Sequence, residues 1–465
     1  MNKLAAAVFC AVIYSRIGTA VPVSDVEAIS SLSSLLSATL AMSGGEAATT
    51  ATGDVALPSP TVPYASDDPN YWLWNETTTD DPEPIRGSLG GSILGPQNVA
   101  IDKQNPDLLA PPTTDNGDVG NAKWPFGLSK NRLVSGGWIR TQNVEQMPLA
   151  KGKYSMAGAN IRLEPGAIRE LHWHNVAEWA YVLEGSTQIT SVDQLGRNYV
   201  ATVNKGDLWY FPPGIPHSLQ ATNDSASGTE FLLIFPSGTF GDDNTFLLTD
   251  WLAHTPKEVI AKNFQDSIED WNQISSRDLY IFPGVALPSD QKPPADPNGQ
   301  IPQPFSFAFS KVKPTQYSGG TVKIADSTTF PISTEIAVSE VTVEPGAMRA
   351  MHWHPTQDEW GLFLEGTARA TIFAASGNAQ TFDYQPGDIS YVPTGWAGHY
   401  IENTGNTTLR FLEIFNTDRF EDVSLEQWLA LTPPALVKQH LQLSDSTIAK
   451  FNKMKNYVVG PDKSQ

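Results

Sequence analysis

Beyond residue 120, short runs of Val, Ile, Thr, Tyr, Phe and Trp alternate with clusters of Gly, Pro, Asn and Asp. Their spacing, about ten residues, is that of an all-β sandwich or barrel. In Ser186-Thr187-Gln188-Ile189-Thr190-Ser191-Val192 and in Ala368-Arg369-Ala370-Thr371-Ile372-Phe373 apolar and polar side chains alternate. Such alternation predicts strands with one wet face. The stretch from Thr245 to Phe264 reads instead as helix. The pattern as a whole predicts an all-β fold: two antiparallel β-barrels, each with a short C-terminal helical decoration.

One theme is stated twice. Glu164-Pro165-Gly166-Ala167-Ile168-Arg169-Glu170-Leu171-His172-Trp173-His174 recurs as Glu344-Pro345-Gly346-Ala347-Met348-Arg349-Ala350-Met351-His352-Trp353-His354, a period of about 180 residues. Each copy runs on to Glu184-Gly185 or Glu365-Gly366, then to Gly206-Asp207 or Gly387-Asp388, and then to a Pro/Gly turn and another histidine. Phe231-Leu232-Leu233-Ile234-Phe235 answers Phe411-Leu412-Glu413-Ile414-Phe415. A Pro/Gly-rich stretch from Pro283 to Pro304 is the natural linker, which places one domain at 120–295 and the other at 296–465. Residues 21–65 are rich in Ser, Ala, Thr and Pro, and an acidic, turn-rich segment follows, so 21–119 reads as a tail or propeptide and an arm.

Composition narrows the partners. Apolar residues make up 40% of the 465 and charged residues 17%, enough for packed cores and too apolar for a wholly disordered chain. A net charge of -20 argues against nucleic acid and against an anionic membrane surface. Lys3, the apolar stretch Leu4 to Tyr14 and the small residues Gly18-Thr19-Ala20 have the layout of a signal peptide cleaved before Val21. No later segment reaches the roughly 18 uninterrupted apolar residues of a membrane span. The expectation is a secreted protein. Cys10, the single cysteine, falls in the leader, so no disulfide or thiol chemistry is expected of the mature chain. Sequons at Asn75, Asn223 and Asn406 fit a glycoprotein. A homo-oligomer is left open.

Six of the eight histidines fall into two matching sets. His172 and His174 sit two apart on a predicted strand, which puts both imidazoles on one face. Glu178 follows after a short turn and His217 after Pro212-Pro213-Gly214. The second copy supplies His352, His354, Glu359 and His399. Three imidazoles and a carboxylate can hold a divalent ion while leaving positions open for substrate. A lone His-x-His on a strand is more often a satisfied pair than a ligand pair; the second copy, with its own Glu and distant His, reverses that balance. The donor types leave the metal open, and intrinsic affinity would place copper, nickel or zinc above manganese.

At these residues the chain resembles the cupin superfamily, and over roughly 120–450 it is similar to the bicupin oxalate decarboxylases of the secreted, fungal type. Gly166, His172, His174, Glu178 and Gly185, and again Gly346, His352, His354, Glu359 and Gly366, match the first cupin motif. Gly206, Pro212, Gly214 and His217 match the second, with Ala221 where Asn is usual; Gly387, Pro393, Gly395, His399 and Asn403 match with one extra residue. The resemblance implies manganese in both sites, two per chain, dioxygen as co-catalyst, and conversion of oxalate to formate and carbon dioxide. Cleaving an unactivated C–C bond by transient one-electron oxidation agrees with a redox metal and not with zinc.

The resemblance also assigns roles. Arg169 and Arg349, three residues before each first histidine, would hold the substrate carboxylate, a task suited to the planar guanidinium. Strict strand alternation puts Arg169 on the face opposite His172, so a bulge is required. The family's proton donor is a Glu in a short lid loop; here that loop reads Gly241-Asp242-Asp243-Asn244, and Asp242 is one methylene shorter. A second acid, Glu413, lies within the apolar run Phe411 to Phe415, where burial demands a partner or a raised pKa. Three readings follow: an oxalate decarboxylase; an oxalate oxidase yielding carbon dioxide and hydrogen peroxide, because the lid acid is altered; and a storage or sugar-binding bicupin, a kind that typically lacks intact ligand sets.

Overall fold

The structure is a computed structural model that describes residues 85–461, apart from 87–88, 92, 289–290 and 395–396 and the side chain of Asp242. The leader with Cys10, the tail to residue 84 with Asn75, and Gly395 therefore lie outside the described residues.

In the first barrel, Ile168–His174 has His217–Ala221 on one edge, and that sheet continues through Ser186–Val192 to Asn198–Asn204. Thr245–Leu247 and Ile281–Phe282 share its other edge. The opposing sheet runs from Leu208–Phe211 through Glu178–Glu184, Thr229–Phe235 and Ala157–Leu163 to Gly137–Gln142 and Lys130–Val134. The second barrel has the same strand order, with Met348–Trp353 flanked by Gly398–Asn403, Val423–Ser424 and Val458–Val459. Both barrels are antiparallel, as the alternation predicts.

The run Phe231–Phe235 is apolar throughout because both of its faces are buried. Phe231, Leu233 and Phe235 point into the first barrel, whereas Leu232 and Ile234 join the core between the barrels. Trp179 and Tyr181 meet Trp360, Leu362 and Tyr391 in that shared core. Chain exchange reinforces it. Lys123–Pro125, which precedes the first barrel, pairs with Asp388–Ser390 of the second; Ser306–Phe307, beyond the linker, pairs with Leu208–Trp209 of the first. The arm is further tied to the second barrel by buried Asp107, which receives Arg86 at 2.5 Å and Arg369 at 2.9 Å.

Two local features position the site. Gly166, at φ 76°, makes the turn that starts the ligand strand, and a Cβ there would come within 2.6 Å of the Gly284 carbonyl. Glycine is required by both the backbone and the close approach. The second feature corrects the helical reading of Thr245 to Phe264. Thr245–Leu247 is a strand paired with His172–His174, followed by two short helices, Leu248–Ala253 and Lys257–Phe264. Pairing with the ligand strand overrides helical spacing at the start, and Pro256, which has no N–H to donate, interrupts the helix in the middle.

Candidate metal centres

The strand Ile168–His174 brings His172 and His174 side by side, with ring centroids 4.9 Å apart, and pairing of His172 with His217 across the sheet adds the third imidazole at 4.3 Å. Glu178, first residue of the facing strand, closes the set: its Oε2 lies 3.2 Å from His174 Nε2 and 3.3 Å from His217 Nε2. In the second barrel Glu359 Oε2 lies 2.9 Å from His354 Nε2 and 3.1 Å from His399 Nε2, with His352 completing the group. In each set the four donor atoms lie within 4.8 Å of one another and all four residues are buried.

The surroundings fit a metal. Backbone carbonyls take the Nδ1–H of most of these rings: Glu170 for His172 at 2.6 Å, Ile215 for His217 at 2.8 Å, Ala350 for His352 at 2.7 Å and Glu421 for His354 at 2.7 Å. A carbonyl cannot donate, so Nδ1 keeps the proton and the Nε2 lone pair faces the centre. His352 Nε2 is buried without a hydrogen-bond partner, a costly state for a polar atom unless a cation takes its lone pair. Burial first, and then the charge of Arg169, hold His172 well below the ordinary imidazole range; burial and Arg349 do the same for His352. Neutral imidazole is the form that ligates. Trp209 Nε1 donates to the other oxygen of Glu178 at 2.9 Å and fixes the carboxylate's orientation.

The required bulge is present in both barrels. His217 opposes His172 but Leu219 opposes Arg169, so Ser218 alone faces both Glu170 and Leu171, and Arg169 turns inward. It is 3% exposed, not a surface arginine, and lines a cavity with His172, His174, Phe235, Phe240 and Tyr280. Arg349 turns inward by the same slip between Arg349 and His352. From there the two sites diverge. Arg349 donates through Nε to Glu413 at 2.9 Å and through Nη2 to Asp422 at 2.7 Å, and Lys455 also pairs with Asp422. Glu413 takes a further hydrogen bond from Ser339 Oγ at 2.5 Å. The partner that burial demanded for Glu413 is thus Arg349, and the two charges are spent on each other. In the first barrel Leu233 and Thr245 stand at the corresponding places, and among the described residues no carboxylate pairs with Arg169.

The loop at 241–244 closes on itself: Gly241 N donates to Asn244 Oδ1 and Asn244 N to the Gly241 carbonyl, both at 3.0 Å. Phe240 at its base stacks on Phe235 at 3.5 Å and lies edge-on to His174. Asn143 Nδ2 holds the Phe240 carbonyl at 3.1 Å. Asp242 opens the 3-10 turn Asp242–Asn244; its side chain lies outside the described residues. Asp422, Thr245, Phe240 and Tyr280 carry no motif. The alignment of Phe231–Phe235 with Phe411–Phe415 already sets Leu233 against Glu413; the Thr245/Asp422 difference shows only in the strand register.

The comparisons agree with this geometry. The sequence model of the family described as Cupin matches residues 128–270 and 308–449. The oxalate decarboxylase OxdC of Bacillus subtilis (strain 168) is 49% identical over 382 residues, which covers 82% of this chain and 97% of that protein. A probable oxalate decarboxylase of Arthroderma benhamiae is 41% identical, over 81% of this chain and 93% of its own length. A solved structure of the Bacillus subtilis oxalate decarboxylase at pH 4.6 superposes with a TM-score of 0.78 at 48% identity, over 83% of this chain and 99% of that one. Another structure of that bacterial enzyme concerns its Mn(II) centres. With two cupin matches, two complete ligand sets and relatives aligned over most of its length, the chain belongs to the cupin family and, within it, to the oxalate decarboxylases.

Proposed function

We propose that the chain is a manganese-dependent oxalate decarboxylase whose first barrel performs the chemistry, converting oxalate and one proton to formate and carbon dioxide. The observation that carries this is the contrast between the arginines: Arg169 is a buried cation beside a ligand set with no described carboxylate on it, whereas Arg349 is held by Glu413 and Asp422. His172, His174, Glu178 and His217 would hold one manganese, and His352, His354, Glu359 and His399 a second. Bound there, manganese supplies the reversible one-electron oxidation, with dioxygen as co-catalyst, that weakens the C–C bond. Arg169 takes the substrate carboxylate and fixes its orientation. Leu233, Phe235 and Phe240 wall the cavity with apolar surface and exclude water, which strengthens that pairing. When carbon dioxide leaves, the remaining carboxyl carbon takes a proton, and the resemblance to the family's loop acid assigns that proton to Asp242.

Arg169→Lys lowers kcat/KM for oxalate by about ten- to a hundredfold, the loss expected when a charge-assisted bidentate pair becomes a point contact. Glu413→Gln lowers stability by about 1–3 kcal/mol because Arg349 loses a charged partner. Formate release per folded, metal-loaded chain stays at the wild-type level. Steady-state kinetics with denaturant unfolding checks both; abolished formate in Glu413→Gln with an unaffected Arg169→Lys moves the reaction to the second barrel.

One observation favours a second reading. The shortened acid at Asp242 suits an oxalate oxidase, in which oxalate, dioxygen and two protons give two carbon dioxide and hydrogen peroxide. The protein is further proposed to be secreted, on the pattern of residues 1–20 and on the exposure of Asn223 and Asn406. Endoglycosidase treatment of protein secreted by a eukaryotic host lowers its mass; no mass loss would count against glycosylation at these sites.

A further inference from the structure

The first barrel has to keep Arg169 aimed at the substrate without a carboxylate to hold it, and the structure shows what does so. The guanidinium carbon of Arg169 lies 4.0 Å from the ring centroid of Tyr280, and Nη1 donates to the Tyr280 carbonyl at 3.1 Å. One contact is with the ring's quadrupole and the other with a carbonyl dipole, neither with a countercharge, so they orient the cation and leave its charge available.

Tyr280 is itself held in a conformation that tyrosine seldom adopts. It is 2% exposed and has φ 59°, in the left-handed region. One carboxylate secures that turn. Glu170, beside Arg169 and equally buried, accepts from Tyr280 N at 2.6 Å, from Leu279 N at 2.8 Å and from Thr249 Oγ1 at 2.8 Å. In return, Glu170 N donates to the Tyr280 carbonyl at 3.0 Å. A second guanidinium, Arg132, lies 3.5 Å from the same ring and is matched by Asp278 at 2.5 Å.

The second barrel lacks this device at the equivalent place. Ile281 pairs with Arg169 as Val458 pairs with Arg349, so Tyr457 corresponds to Tyr280. There Ala350 replaces Glu170, Tyr457 has no left-handed turn, its ring centroid lies 5.1 Å from Arg349, and carboxylates hold the arginine instead. We propose that Tyr280 is the positioning residue of the first site, orienting Arg169 for the substrate carboxylate through its ring and carbonyl, and that Glu170 is the clamp that keeps it there. The inference rests on the first-site reading above.

The test uses the manganese-loaded full chain, with oxalate KM and kcat measured separately and metal content determined for each variant. Tyr280→Leu, which removes the ring, raises KM for oxalate on the order of tenfold with a smaller change in kcat and with metal content unchanged. Tyr280→Phe keeps ring and carbonyl and stays within about twofold of wild type. Glu170→Gln, which turns an acceptor into a donor facing backbone N–H groups, shifts KM in the same direction as Tyr280→Leu. Should Tyr280→Leu not accumulate as folded protein, Glu170→Gln decides on the same constants. An unchanged KM in Tyr280→Leu, or a loss in Tyr280→Phe as large as in Tyr280→Leu, overturns the inference. Arg169→Lys, run in parallel, separates the levels: if it is impaired while Tyr280→Leu is not, only the positioning role fails, and if neither is impaired the first-site reading fails too.

Discussion

Replacing His172 with alanine is expected to remove about one manganese per chain and, with it, oxalate turnover down to background. His352→Ala is expected to remove one manganese as well, yet to leave turnover proportional to the metal still bound in the first site. The expectation follows from how the donors are held. Each set is four buried residues with donor atoms within 4.8 Å of one another. The carbonyls of Glu170 and Ala350 fix the Nε2 lone pairs of His172 and His352 toward the centre. Taking out one imidazole leaves three donors and a void, and affinity falls steeply because no other described side chain in either set can replace it. Metal analysis and turnover measured on the same samples check it. Loss of all turnover in His352→Ala, with the first site still fully loaded, would contradict the assignment of the chemistry to the first barrel.

The second large effect concerns the lid. Asp242→Ala is expected to suppress formate by about a hundredfold or more, the usual contribution of a positioned acid, and to shift product toward hydrogen peroxide. Asp242→Glu is expected to match or raise the wild-type formate yield, because the longer side chain reaches where the family's lid acid sits. The loop is held in place: Gly241 and Asn244 bond to each other, and Phe240 packs the loop's base against Phe235 and His174. A displacement of about 1 Å at the proton donor is enough to change the rate a hundredfold. Formate and peroxide assayed together on both variants read this out. Near-neutral behaviour of both changes would remove Asp242 from the mechanism.

How much of this was visible in the sequence depends on the distance over which each feature is decided. The strand Ser186–Val192 and the two-residue spacing of His172 and His174 are local, and both appear as expected. The wet face of that strand does not, since Thr187 and Gln188 are both buried, Gln188 against the Pro288 carbonyl, while Val192 is exposed. The inward Arg169 does appear, although only as a required bulge whose place the strand register supplies. The apolar run Phe231–Phe235 could not reveal that one face meets a second barrel, because that face is buried by residues such as Trp360 and Leu412 far along the chain. Thr245–Leu247 reads as helix in sequence because it runs directly into the helical spacing of Leu248, Trp251 and Leu252, whereas its pairing with His172–His174 is long-range. The partnership of Glu413 with Arg349 joins residues 64 apart, and that of Glu170 with Tyr280 joins residues 110 apart. Left-handed backbone at a tyrosine has no sequence signature at all, since Gly and Asn are the residues that announce it.

The most direct measurement is the product balance of the unaltered, manganese-loaded protein given oxalate in the presence of dioxygen. Formate close to one per oxalate consumed, with little hydrogen peroxide, is the predicted result. Hydrogen peroxide as the main product, with no formate, would contradict the decarboxylase assignment and make the chain an oxalate oxidase built on the same two metal centres.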